Sequence, residues 1–229
     1  MDIQKFLNYY LKKNQKILLI LGHSGVGKSF SAEFLQEYLD YKIAKQLTTR
    51  EKRPDDKHYS YISAEEFVRL QDSGKIIGYF DGDKNSCLGR GYGYLIDDLM
   101  EQLERDNKLI LFPSAYELES ESFSHIYGTT DKIGIGFKNS DSVIKRALQC
   151  GKELSEREMY SRVNSAETLT KIMERYSSKD DLFHLIYSDG FGDDLKKSKS
   201  LQLSSIVDFI GEDAEDYRGD IDKFISRGL

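Results

Sequence analysis

At 229 residues, 39% hydrophobic and 31% charged, the chain can bury the core of one ordinary α/β domain and is not a disordered polymer. A formal net charge of −6 gives no electrostatic footprint for nucleic acid or an anionic membrane, so an anionic ligand has to be held by a local cationic cluster. Two cysteines, Cys87 and Cys150, are too few for a disulfide framework and lack metal-ligand spacing.

In chain order, Ile3, Phe6, Leu7, Tyr10 and Leu11 recur at helical spacing and predict a short amphipathic helix over 2–14. This start has no apolar core or small-residue cleavage site of a signal peptide, and no run approaches the ~20 apolar residues of a membrane span. The expected compartment is the cytoplasm. KILLILG (16–22) is a brief aliphatic run ending in glycine, the pattern of a strand buried on both faces. After a glycine-rich turn, Phe30, Phe34, Leu35 and Tyr38 share one face of a helix over 29–40. YKIAKQLTT (41–49) reads as a second strand, followed by a basic, polar loop at 50–58.

HYSYISAEEFVRLQDSG predicts a short strand and a helix with Ser63 as N-cap and Glu66 completing a capping box. A glycine-rich region at 78–93 precedes a helix over 94–107. KLILFPS (108–114) and KIGIGF (132–137) are further buried strands, 141–176 is helical with alternating charge, and DLFHLIYS (181–188) is the last strand. Two helices close the chain. Strands alternating with helices imply a parallel sheet covered on both faces. With no internal repeat or linker, a single domain is expected.

GHSGVGKS fits G-x-x-x-x-G-K-[ST] from Gly22 to Ser29, with the strand before it and the helix after it that the motif requires. The glycines let the backbone of Gly22, Ser24, Gly25, Val26 and Gly27 curl so that its N–H groups converge on one spot. A helix starting near Lys28 adds its positive dipole end there. Lys28 then reaches β- and γ-phosphates, and Ser29 offers a hydroxyl to Mg²⁺. ATP and Mg²⁺ are the expected cofactors of a three-layer P-loop fold. His23 reads as an incidental exposed side chain rather than a base.

In QLTTREKRPDDKHYSYISAEEF (46–67), Arg50 and Arg53 stand three apart beside Thr48 and Thr49, with Tyr59 downstream. Two guanidinium forks and a phenol suit a phosphomonoester dianion. On chemistry alone a solvated basic loop accounts for the stretch equally well.

The ordered set GHSGVGKS, TTREKRP, HYSYIS, AEEF and GYG resembles the guanylate kinase family over about residues 16–115, and loosely over 140–190. The resemblance implies that Arg50, Arg53, Tyr59 and Tyr92 hold the acceptor phosphate. It also implies that 143–163 is similar to the family's lid, where Arg146 and Arg162 would clamp the ATP phosphates, with Lys152 and Arg157 nearby. The implied organisation is a core over about 16–45 and 94–190, an acceptor-binding subdomain over 46–93, a lid over 141–165 and a C-terminal helical extension over 191–229.

Four positions depart from the family pattern. Gly78 stands where an acid reads guanine, Gln46 where a small hydroxyl residue lies near the base, and Cys150 at a lid arginine. Phe112 and Ser114 replace the Asp-x-Asp that ends a buried strand and serves the magnesium shell and acceptor nucleoside. Asp81 or Asp83 could replace the first, and Glu117 or Glu119 the last. The resemblance implies transfer of the ATP γ-phosphoryl group to a nucleoside monophosphate such as GMP or dGMP, with no nucleic-acid or membrane partner. The alternative is a catalytically weak or inactive domain of the same build that binds phosphorylated ligands or partners.

Overall fold

The computed structural model describes residues 16–23, 25–52, 57–83, 88–113, 130–149, 155–188 and 195–227. The expected N-terminal helix, both cysteines, and Ser114, Glu117 and Glu119 lie outside them. The chain forms two compact units, residues 1–19 with 41–130 and residues 20–40 with 131–229.

The first unit holds β1 (Lys16–Gly22) as far as Leu19, β2 (Lys42–Ile43) and β7 (Lys108–Leu111), all parallel. Lys16–Leu19 pair with Lys108–Leu111, and Ile17 to Leu19 and Leu109 to Leu111 are buried, as an aliphatic strand without alternation demands. A second sheet of the same unit has the order β4-β3-β6-β5, from Tyr59–Tyr61, Gln46–Thr48, Leu88–Leu95 and Ile76–Asp83. Helix α1 (Lys28–Tyr38) belongs to the second unit, whereas α2 (Ala64–Asp72) and α3 (Ile96–Arg105) belong to this one. On α2, Phe67 joins Leu47 and Ile76 in a small apolar core.

One element differs from expectation here. The strand expected over 41–49 is divided: β2 pairs with β7, and after Ala44 and Lys45 the chain enters the other sheet as β3. The glycine-rich region contributes to two antiparallel strands, β5 and β6, in which Gly78 faces Gly93. A Cβ on Gly91 would come 2.7 Å from the Phe67 ring, so the glycine makes room for the aromatic side chain.

The second unit contains the end of β1, α1, β8 (Asp131–Phe137), α4 (Ser140–Gln149), α5 (Glu156–Ser177), β9 (Phe183–Ser188), α6 (Leu195–Phe209) and α7 (Arg218–Arg227). β8 and β9 run parallel from Lys132↔Phe183 to Phe137↔Ser188. Phe224 of α7 packs on Phe30, Phe34 and Tyr38 of α1 with ring centroids 5.1, 5.4 and 6.2 Å away, and Arg227 meets Glu37 at 2.7 Å.

The Ser63 cap forms half of the expected box. Ser63 Oγ accepts the N–H of Glu66 at 3.1 Å, but the Glu66 carboxylate takes the Arg69 guanidinium at 2.7 and 2.8 Å. A bidentate ion pair one turn on outcompetes a single bond back to the cap.

Candidate active site

The glycine loop leaves β1 at its buried end. Gly22, Gly25 and Gly27 have φ of +143°, +93° and +98°, the region in which a side chain is strained. At Gly22 a Cβ would also lie 2.3 Å from the Ile135 carbonyl oxygen. Val26 is buried under the loop, and Ser24 lies outside the described residues.

Helix α1 then starts at Lys28 with Gly27 as N-cap, no side-chain cap and no acid in its first turn. By contrast, α2 and α3 each carry two acids there, Glu65 and Glu66, and Asp97 and Asp98. The first amides of α1 are thus left for an outside acceptor, at the positive end of the helix dipole. Lys28 Nζ donates to the Gly22 and His23 carbonyls at 2.7 and 3.0 Å. Burial pushes its pKa down to about 8. Ser29 is exposed on the first turn. His23 is not the exposed side chain expected: it is half-buried, with its ring 6.2 Å from that of Phe137.

The arginine loop follows β3. In the ladder Thr48 pairs with Tyr61 of β4 and Tyr92 of β6, and Gln46 with Tyr59. Alternation along the strands puts Tyr59, Tyr61, Gln46, Thr48, Tyr92 and Tyr94 on the face away from Phe67. Past the strand, Thr49 Oγ1 accepts the Gly91 N–H at 2.8 Å and Thr48 Oγ1 accepts the Arg50 N–H at 3.3 Å. The Arg50 guanidinium lies over the Tyr59 ring at 4.5 Å and near the Tyr61 ring at 6.0 Å. The structure therefore assembles Arg50, Tyr59 and Tyr61 and sets Tyr92 one strand away; Arg53 lies outside the described residues.

Among the departing positions, Gln46 is 3% exposed and donates from Nε2 to the Phe112 carbonyl at 2.9 Å. Gly78 has no room for a side chain, since a Cβ would come 2.5 Å from the Tyr92 carbonyl oxygen. Asp81 and Asp83 stand opposite Arg90 and Leu88 in the pairing of β5 with β6. Arg146 lies on α4 and Arg157 on α5, where Arg162 is half-buried; Lys152 lies outside the described residues. Tyr61, Tyr94 and Gln202 went unnoticed in the sequence. Gln202 carried a signal, a polar residue on the apolar stripe of α6.

Over 152 residues the chain is 30% identical to a guanylate kinase of Rhizobium johnstonii, covering 56% of this chain and 69% of that protein. The chain belongs to the guanylate kinase family. A guanylate kinase of Bartonella henselae is 28% identical over 154 residues, again 56% of this chain and 69% of the relative. No family model matches the chain. The fold of this guanylate kinase family member is like that of the crystal structure of guanylate kinase from Anaplasma phagocytophilum. The TM-score is 0.51 at 18% identity, over 83% of this chain and 84% of that one. Among the described residues no helix is long and apolar enough to cross a membrane, and no group of three or more His, Cys, Asp or Glu could hold a metal ion.

Proposed function

We propose that this protein transfers the γ-phosphoryl group of ATP to the phosphate of a nucleoside monophosphate, with GMP as the acceptor. The observation that carries this reading is the start of α1, without a side-chain cap, behind a glycine loop with positive φ angles, with the Lys28 ammonium gathered onto that loop. Its relatives named guanylate kinase support the acceptor.

Lys28 and the loop and first-turn amides from Gly22 to Ser29 hold the donor phosphates and offset the charge of the transferred group. The Ser29 hydroxyl would help to hold Mg²⁺, which would supply further charge neutralisation. Arg50, Arg53, Tyr59 and Tyr92 bind and orient the acceptor phosphate, which needs no general base because it is already a nucleophile at neutral pH. Arg146 and Arg162 clamp the donor phosphates from a lid over 141–165, residues 46–93 bind the acceptor, and 191–229 extends the core of about 16–45 and 94–190. The setting is the cytoplasm, without nucleic acid.

A coupled ADP-release assay with ATP·Mg²⁺ against GMP, dGMP and the other monophosphates tests this reading, with Lys28→Ala as control. GMP-dependent release that the variant loses is expected. Binding of both nucleotides without turnover would overturn it in favour of a non-catalytic binder.

A further inference from the structure

Helix α6 buries a polar side chain against the glycine loop. Gln202 is 5% exposed and precedes Leu203 and Ile206, both fully buried, on the inward side of the helix. A glutamine there forgoes apolar burial and has to be hydrogen-bonded. Its Nε2 donates to Ser31 Oγ at 2.7 Å and reaches the Gly27 carbonyl oxygen at 3.5 Å. That carbonyl also accepts the Ser31 N–H at 2.9 Å. The glutamine amide lies directly against Gly27, where a Cβ would come 2.9 Å from Nε2.

A trans peptide unit is planar, so its C=O and N–H point in opposite directions. The Gly27 carbonyl and the Lys28 N–H belong to one such unit. Holding the carbonyl therefore aims the N–H, and Gly27, with φ +98° and no side chain of its own, supplies no restraint. We propose that Gln202 is a positioning residue for the donor-phosphate cradle. It fixes the Gly27–Lys28 peptide plane so that the Lys28 N–H faces the phosphates, and it does not itself touch the nucleotide. This inference rests on the donor-site reading above.

The test compares the full-length wild type with Gln202→Met, which keeps the volume and removes the donor, and with Ser31→Ala, which removes the partner hydroxyl. ADP affinity by calorimetry, KM for ATP and KM for the acceptor are measured with the melting temperature. Gln202→Met is expected to weaken ADP binding and raise KM for ATP about tenfold. KM for the acceptor should stay within about twofold, because a merely structural loss would not separate the two substrates. Ser31→Ala should weaken ADP binding severalfold, and the double variant should be no worse than Gln202→Met alone. If Gln202→Met does not fold, the Ser31→Ala result decides. Unchanged ADP affinity in the variants, with wild type binding normally, overturns the role of Gln202 alone. A wild type that binds no ADP overturns the donor-site reading and this inference together.

Discussion

The phenol of Tyr94 accepts the backbone N–H of Phe112 at 2.6 Å, while Gln46 Nε2 donates to the carbonyl of the same Phe112 at 2.9 Å. Two side chains of the four-stranded sheet thereby satisfy both polar groups of the residue that follows β7. Tyr94 is only 1% exposed, so water cannot stand in for its hydroxyl. Tyr94→Phe should cost about 1–3 kcal/mol, the penalty for leaving one buried amide unpaired. Urea denaturation checks this: the midpoint falls at an unchanged slope, and a loss below about 0.5 kcal/mol would show that the bond contributes little.

Two glycines predict opposite signs for the same change. At Gly91 an added methyl meets the Phe67 ring at 2.7 Å, whereas at Gly219, in the first turn of α7, nothing lies within 4 Å. Gly91→Ala should destabilise by about 1–3 kcal/mol through overpacking. Gly219→Ala should stabilise by about 0.5–1 kcal/mol through helix propensity and a less free unfolded chain. Thermal melts of the two variants against wild type suffice.

Lys28 gives a pH dependence whose sign is fixed. Its pKa in the fold is about 8, lowered by burial from an ordinary 10.5. Between those values the unfolded chain holds the proton more often than the folded one, so this group's contribution to stability is least favourable below about 8 and recovers as pH rises toward 10.5. Phosphate binding runs the other way, because a polyphosphate favours the ammonium. ADP affinity should be full below pH 8 and fall by up to about tenfold per unit above it, with proton uptake on binding. Calorimetry at pH 8.5 in two buffers of different ionisation enthalpy would detect that proton; equal heats would contradict the assignment.

Arg50 stacks on Tyr59 and offers a planar fork, which lysine cannot copy. Arg50→Lys should raise KM for the monophosphate about 10- to 100-fold and leave KM for ATP within twofold. Equal rises in both would place Arg50 outside the acceptor pocket.

The glycine loop was legible because its chemistry is local: eight consecutive residues carry the turn, the lysine and the hydroxyl. The strand pattern of β1, β7 and β8 was legible for the same reason, as each is a short run rich in aliphatic residues. The division of 41–49 was not, since leaving one sheet for another at Ala44 and Lys45 depends on β7 and β4 as pairing partners. Nor was the pairing of Ile76–Asp83 with Leu88–Leu95, whose glycines give no strand signal until the Phe67 ring is placed above Gly91. Gln202 and Ser31 are 171 positions apart, and only the fold brings them together. Glu66 failed as a box because the competing Arg69 lies on the same local stretch.

The bare beginning of α1 has a thermodynamic consequence. At Gly27, with φ +98° and Gln202 Nε2 2.9 Å from where a Cβ would stand, a Ser, Thr, Asp or Asn cap would be strained, so no side-chain oxygen there occupies the amides that a phosphate needs. The helix is therefore completed by its guest. Free energy that a side-chain cap supplies permanently in other helices arrives here with the ligand, growing with the logarithm of its free concentration to about 2.7 kcal/mol at a hundred times the dissociation constant. The melting temperature of this chain then rises with the polyphosphate concentration around it and works as a gauge of nucleotide supply.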